Sequence, residues 1–135
     1  VFPNDIKDSD HIDINRFFWS LQNTSKHVMG GIYSMKGTQQ VVEMATELEA
    51  ARQLAYYAAW KETHKMECVC ETSMSKYLCA ETGKKIALTA MQIMGDYAYT
   101  MACDVQRYFR DVSILSIGGG TTQIQKNIIA KTLGL

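Results

Sequence analysis

The segment best suited to bind a ligand is a run of three glycines and two threonines, from Gly118 to Thr122. It lies directly before an apolar helical pattern. The start of a helix offers unpaired backbone N–H groups and the positive end of the helix dipole, and both attract anions. The segment is not a P-loop, because no Gly-Lys-Ser/Thr follows it. It is not the dinucleotide fingerprint either, because position 123 is glutamine and no strand pattern precedes it. The residues leave two interpretations open: an anion-binding helix start, or a flexible turn before a capped helix.

Cysteines and histidines are the other candidates for chemistry. His64 precedes the pair Cys68 and Cys70, an arrangement that could bind a metal ion. Zinc sites usually contain Cys-x2-Cys pairs, however, and no matching second pair exists here. The alternative is a group of ordinary reduced cysteines near a helix end. The other histidines are scattered, and the sequence has neither a nucleophile–base order nor the Glu-x-x-His motifs of two-metal bundles. We therefore predict no metal site.

The elements that position these residues are predicted to be helices. The chain has one proline and nine glycines, and its long runs of alanine and methionine favour helix. Apolar residues recur at helical spacing, Gly30-Gly31 and Gly95 mark two helix ends, and Thr121 or Thr122 is a suitable cap. The methionines of residues 91–101 are predicted to fill the core. The predicted helices cover residues 12–29, 39–65, 73–94 and 104–115, with a last helix beginning at Thr121 or Thr122. This pattern predicts an all-α fold, an antiparallel (four-)helix bundle of the helices named above, in a single domain over residues 1–135.

Composition and charge exclude several classes of function. Lysine plus arginine and aspartate plus glutamate are 14 each, so the formal net charge is zero, and no electrostatic footprint for nucleic acid or an anionic membrane is present. The longest apolar run, residues 54–60, is far shorter than the ~20 residues of a membrane span. The first residues lack the features of a signal peptide. We expect a cytoplasmic protein, or one of the mitochondrial matrix if eukaryotic, and a first residue other than methionine suggests a piece of a longer chain.

Four segments of residues 44–135 resemble the C-terminal helical domain of the FAD-dependent acyl-CoA dehydrogenase family. Residues 44–52 (Met-Ala-Thr-Glu-Leu-Glu-Ala-Ala-Arg) are similar to the second bundle helix of the family, and residues 90–100 are similar to its Gln-x-x-Gly-Gly-x-Gly-Tyr flavin segment. Residues 107–111 (Arg-Tyr-Phe-Arg-Asp) resemble the Arg-Asp helix that follows. Residues 120–125 (Gly-Thr-Thr-Gln-Ile-Gln) resemble the Gly-Thr-Ser-Glu-Ile-Gln loop and helix of the active site. We expect residues 1–43 to form a divergent first helix and linker, and we expect the N-terminal and middle β-domains of the family to be absent from this chain.

The resemblance implies particular roles for these residues. In the family, the Gln-x-x-Gly-Gly segment contacts the FAD bound mainly by a neighbouring subunit, the Thr-Ser-Glu start contacts flavin, and the preceding glycine lies near the acyl-CoA. The implied cofactor-binding residues are therefore Gln92, Ile93, Met94, Gly95, Asp96, Thr121, Thr122 and Gln123, and the implied substrate contact is Gly120. The implied partners are further copies of the chain in a dimer or tetramer, acyl-CoA, and an electron-transfer flavoprotein.

Departures from the family pattern bear on catalysis. The usual base is a glutamate immediately before the Gly-Thr pair, but that position is Gly119, which cannot accept the proton that acyl-CoA dehydrogenation removes. Some members carry the glutamate on the first helix of this domain instead, yet residues 1–42 contain only aspartates, of which Asp10 and Asp13 are candidates. Asp96 replaces the second glycine of the flavin segment and would repel cofactor phosphates by about 1 kcal/mol in water at 4 Å. The family's Arg-x-x-Phe-Gly segment has no counterpart in residues 23–31.

Three functions follow as hypotheses. The first is a catalytically altered or noncatalytic bundle that serves oligomerisation and FAD contact, which requires that no carboxylate of the chain lie beside the triple-glycine turn. The second is an active dehydrogenase whose base comes from an aspartate of the first helix, from the missing domains or from a partner. The third is a helical interaction module without flavin.

Overall fold

The structure, a computed structural model, describes residues 35–135. This part of the chain is all helical and contains no β-strand. Its α-helices are α1 (Met35–Thr63), α2 (Val69–Met94), α3 (Val105–Ser113) and α4 (Thr122–Leu133), and two short 3₁₀ helices cover Gly95–Tyr99 and Ile114–Ser116. The predicted helix over residues 12–29 and its glycine end lie outside the described residues. The all-α bundle predicted from the sequence is confirmed over the described part of the chain.

The turn between α1 and α2 shifts both predicted boundaries. In this turn the N–H of Lys65 bonds to Glu62 O and the N–H of Met66 bonds to Lys61 O, both at 3.0 Å, which is the Schellman pattern of a helix end. Lys65 adopts the left-handed φ of +55° that a glycine usually provides, so no glycine marks this end in the sequence. Helix α2 begins at Val69, four residues before the predicted start, and Cys68 at its N-cap makes no side-chain capping bond.

Contacts along α2 give the directions of its neighbours. Lys61 of α1 pairs with Glu71 at the start of α2, and Glu47 of α1 pairs with Lys85 further along α2. On the other side, Thr122 of α4 bonds to Glu81. The ring of Tyr77, earlier in α2, lies 4.9 Å from Lys126 Nζ, later in α4. In both sets of contacts, residue numbers rise along α2 while they fall along its neighbour. Helices α1 and α4 therefore both run antiparallel to α2.

The core lies where α2, the first 3₁₀ helix and the start of α3 meet. Its buried residues are small or flexible, and Met91 and Tyr97 pack against them. The cluster consists of Ala90, Met94, Ala98, Cys103 and Val105. The prediction that the methionines of residues 91–101 fill the core is right for Met94 and wrong for Met101, which is 83% exposed. Among residues 35–135, no helix is both long and apolar enough to cross a bilayer.

Gly83 weakens the middle of α2. A Cβ added there would lie 3.8 Å from Val112 Cγ1, an ordinary van der Waals contact, and the backbone is helical. Because glycine is about 0.8–1 kcal/mol less favourable than alanine within a helix, we expect Gly83→Ala to increase the free energy of unfolding by roughly that amount. Urea denaturation of the two proteins measures the difference. A decrease in stability would mean that α3 packs too closely on α2 to accept a methyl group.

Candidate functional site

The triple-glycine turn connects the second 3₁₀ helix to α4. The N–H groups of Ile117 and Gly118 bond to Ile114 O at 2.9 and 2.8 Å, which closes the 3₁₀ helix. Gly119 and Gly120 then adopt left-handed φ values of +68° and +95°. Such backbone is costly for residues with a side chain, so the two glycines are required by the path of the chain into α4.

Side chains from two helices bind the carbonyl groups of this turn. Lys76 of α2 donates to Gly120 O, a contact between residues 44 positions apart in the sequence. Gln125 of α4 donates from Nε2 to Gly119 O at 3.1 Å, and the Gln125 residue is only 8% exposed. The turn is therefore held by partners on both sides.

Of the two threonines predicted as the cap of α4, Thr121 is the one that caps it. Its φ of −64° and ψ of 158° are extended, and its Oγ1 accepts a hydrogen bond from the N–H of Ile124 at 3.3 Å. This bond satisfies one of the unpaired N–H groups of the first turn. Thr122 has a different role, since its hydroxyl donates to Glu81 Oε1 of α2 at 2.9 Å.

Glu81 is the residue of this site that sequence reasoning missed. Its Oε1 also accepts from the Ser116 hydroxyl at 3.4 Å, so one carboxylate contacts both ends of the segment that contains the glycine turn. The expectation that no carboxylate of the chain lies beside this turn is therefore wrong. The hydrogen bond from Thr122, followed by that from Lys84, holds the pKa of Glu81 below its ordinary range. Glu81 is thus a poor proton acceptor at neutral pH. Its hydrogen bonds hold the two ends of the turn segment against α2.

The lowered pKa of Glu81 predicts how its hydrogen bonds respond to a fall in pH. A carboxylate whose pKa is lower in the folded protein than in the unfolded chain stabilises the folded state. This stabilisation is complete at a pH above the pKa of the unfolded chain, and it is lost as the pH falls through the pKa of the folded protein. We therefore expect the contacts of Glu81 with Thr122, Ser116 and Lys84 to persist at neutral pH and to disappear only below about pH 4.3, the ordinary glutamate value. The ¹³C chemical shift of the Glu81 carboxyl, followed from pH 7 to pH 2.5, measures this. A midpoint above the ordinary value would contradict it.

The residues predicted to contact a neighbouring FAD lie at the far end of α2. Gln92 and Asp96 are exposed, Ile93 is half-buried, and Met94 lies in the core, so Met94 can offer only backbone atoms to a ligand. Gly95 ends α2, as predicted, with a φ of +61°. Gln92 lies eleven positions after Glu81 in α2, about 16 Å along the helix at 1.5 Å per residue. The structure therefore does not bring residues 92–96 together with Thr121, Thr122 and the exposed Gln123.

His64, Cys68 and Cys70 do not form a shared site in the described structure. His64 Nδ1 lies 2.8 Å from Trp60 O, and its ring lies 4.6 Å from the Trp60 ring. Cys68 donates from Sγ to Glu62 Oε2 at 2.9 Å, and this bond raises the pKa of the thiol. Within residues 35–135, no group of three or more histidine, cysteine, aspartate or glutamate residues is arranged to hold a metal ion.

The helical bundle and the sequence of its turn define the class of protein. The family model for the acyl-CoA dehydrogenase C-terminal domain matches residues 35–134, from the first residue of α1 to the end of α4. The chain therefore belongs to the acyl-CoA dehydrogenase family, and the resemblance seen in the sequence is confirmed.

Individual proteins of known sequence or structure are similar to this chain over most of its length. An acyl-CoA dehydrogenase of Bacillus subtilis (strain 168) is 40% identical over 94 residues, which are 70% of this chain and 25% of that protein. The crystal structure of an acyl-CoA dehydrogenase from Geobacillus kaustophilus superposes with a TM-score of 0.75 at 31% identity, over 77% of this chain and 27% of that chain. The FAD complex of PigA gives a TM-score of 0.71 at 32% identity, over 73% and 26%. The chain spans about a quarter of the length of the curated relatives that it matches.

Proposed function

We propose that this chain is the C-terminal helical bundle of an FAD-dependent flavoprotein of the acyl-CoA dehydrogenase type, one that is catalytically altered or noncatalytic. The observation that carries the proposal is Gly119. The turn and α4 keep the family's pattern, while the position of the usual glutamate has no side chain. Glycine cannot accept the proton that leaves the acyl-CoA, and the absence of a positioned base lowers the rate of such a step by about 10²–10⁴.

The condition that no carboxylate of the chain lies beside the turn fails at Glu81, and the noncatalytic proposal is kept because Glu81 does not have the contacts of a base. A catalytic base needs a pKa near the working pH and a free oxygen directed at the substrate. The carboxylate of Glu81 instead accepts bonds from Thr122, Ser116 and Lys84, and its pKa is lowered. Its geometry supports a role in holding the turn.

The start of α4 is suited to contact FAD. The hydroxyl groups of Thr121 and Thr122 lie at the helix N-terminus, where Thr121 accepts from Ile124 N–H and Thr122 donates to Glu81. Apart from Gly119 and its two chain neighbours, no residue has an atom within 4 Å of the point where a Cβ of Gly119 would be, so a ligand can approach the backbone. Bound FAD would supply the hydride acceptor for acyl-CoA oxidation. We assign Thr121, Thr122 and Gln123 to FAD contact and Gly120 to acyl-CoA contact. The remote residues 92–96 we assign to the FAD of a neighbouring subunit.

The exposed apolar surface supports the assembly of several copies. Many large apolar side chains of the described part remain exposed, more than a single buried core requires. They include Tyr99 at 81%, Met101 at 83%, Ile114 at 59% and Ile117 at 64% exposure. We assign this surface to contacts in a dimer or tetramer, and an electron-transfer flavoprotein to the role of electron acceptor. Sedimentation of the full-length protein as a monomer at high concentration would contradict the assembly.

Flavin content and substrate-dependent bleaching test the proposal together. The full-length protein is purified, its ratio of FAD to chain is measured, and short-, medium- and long-chain acyl-CoA are added under anaerobic conditions. We expect bound FAD whose absorbance near 450 nm bleaches about 10²–10⁴ times more slowly than in an acyl-CoA dehydrogenase with a positioned base. Rapid bleaching would overturn the noncatalytic assignment, and absence of FAD would overturn the flavoprotein assignment.

An active dehydrogenase is the second candidate, favoured by the bonded turn and by the Thr121 cap of α4. Its base would come from Asp10 or Asp13, which lie outside the described residues, from other domains or from a partner subunit. Under this alternative, replacement of that acid abolishes turnover, whereas substitutions at Gly119 bring no large gain in rate.

A further inference from the structure

Two charged side chains of α2 enclose the triple-glycine turn. Lys76 donates to Gly120 O, and Glu81 accepts from the hydroxyl groups of Thr122 and Ser116. These partners lie 35 to 44 positions away in the sequence, so the contacts join α2 to a distant segment. Together they connect one rigid helix to both ends and the middle of residues 116–122.

The turn has few other means of keeping its shape. Glycine loses more conformational freedom on folding than any other residue, and three glycines follow one another here. The backbone bonds described for this segment lie at its edges, from Gly118 N to Ile114 O and from Gln125 N to Thr121 O. The carbonyl groups of Gly119 and Gly120 are bound by side chains instead. The conformation of the turn therefore depends on side-chain contacts.

We propose that Lys76 and Glu81 are positioning residues, which hold the glycine turn and the first turn of α4 in the conformation that contacts the cofactor. The proposal rests on the proposed function, because it takes FAD as the ligand of that helix start. Neither residue is assigned a contact with the ligand. Both act through Gly120 and Thr122, whose places in the fold they determine.

Alanine variants with matched controls test this role. Lys76→Ala and Glu81→Ala remove the contacts to the turn and leave a good helix former in α2. Lys85→Ala and Glu71→Ala are the controls, because these residues lie on the same helix but pair with Glu47 and Lys61 of α1 instead. Glu81→Gln retains an acceptor for the two hydroxyl groups and is the conservative variant.

Amide hydrogen exchange of the full-length protein without FAD is the first measurement. In the two test variants we expect the amides of residues 118 and 124–126 to exchange about tenfold faster, the factor that the loss of one hydrogen bond to a charged group represents. Peptides from α1 should be unchanged, the controls should match the wild type at the turn, and Glu81→Gln should recover part of the protection. Unchanged exchange at the turn, or an equal increase throughout α1, would overturn the proposal.

The dissociation constant of FAD, followed by flavin fluorescence, is the second measurement. We expect it to rise about tenfold in Lys76→Ala and Glu81→Ala and to stay within twofold in the controls. Faster exchange with unchanged FAD affinity would overturn the positioning role. If the wild type binds no FAD, the proposed function fails, and the exchange data still decide whether the two side chains hold the turn.

Discussion

Replacing Gly119 with glutamate is expected to increase the rate of acyl-CoA-dependent flavin bleaching in the full-length protein by about 10²–10⁴, the usual contribution of a positioned base. The change restores a carboxylate at the position where the family carries one. Apart from Gly119 itself and its two chain neighbours, no residue has an atom within 4 Å of the added Cβ, so the side chain has room. The left-handed φ of +68° makes the substitution cost about 1–2 kcal/mol of stability, which a folded domain tolerates. Stopped-flow absorbance near 450 nm measures the rate.

Gly119→Gln is the matched control for this experiment. Glutamine has the same shape and the same backbone strain, but its amide cannot accept the proton. We expect no gain in rate for Gly119→Gln. An equal gain in both variants would attribute the effect to packing or to cofactor loading. A wild-type protein that already reacts rapidly, with no gain in Gly119→Glu, would favour the active enzyme whose base comes from elsewhere.

Gly120→Ala is expected to lower the free energy of unfolding by about 2–3 kcal/mol. The added Cβ would lie 2.7 Å from Gln125 Nε2, so the buried glutamine must move and give up its bond to Gly119 O. That lost bond accounts for about 1 kcal/mol. The φ of +95° adds about 1–2 kcal/mol, because residues with a Cβ disfavour left-handed backbone. Urea denaturation followed by circular dichroism gives the value.

Gly118→Ala serves as the control for Gly120→Ala. Gly118 does not have a left-handed φ, and its nearest new neighbour, Ile114 O, would lie 3.4 Å from the Cβ. We expect the stability of this variant to remain within about 0.5 kcal/mol of the wild type, as for most surface substitutions. If both variants lose the same stability, the cause is reduced flexibility of the whole turn, and the close approach of Gln125 is not responsible.

Local patterns predict the helices well because the hydrogen bonds and the caps of a helix join residues only three or four positions apart. Gly95 and the Thr121 cap are visible in the sequence, and the structure places the end of α2 and the start of α4 at them. The start of α2 is predicted too late because Cys68, at its N-cap, provides no side-chain bond to mark it. The end of α1 has no sequence signal for a similar reason, since Lys65 occupies the left-handed position that glycine usually fills.

The support of the glycine turn could not be predicted in the same way. The motif identifies Gly119, Gly120 and the two threonines because they are adjacent in the chain. Lys76 and Glu81 belong to an ordinary amphipathic helix in which charged residues are common, and nothing in the spacing indicates a partner about forty residues away. Only the antiparallel packing of α4 on α2 brings them to the turn. Residues that bind their neighbours in sequence are thus predictable here, and residues that bind across the bundle are not.

The central place of α2 has a consequence for how the bundle opens. Helices α1, α3 and α4 each pack on α2, and within residues 35–135 α1 makes no comparably extensive contact with α3 or α4. Proteins often unfold in separate cooperative units before they unfold completely. Helix α1 can separate as one such unit while α3 and α4 keep their packing on α2. Partial melting from that side would therefore spare the half of the molecule that carries the glycine turn.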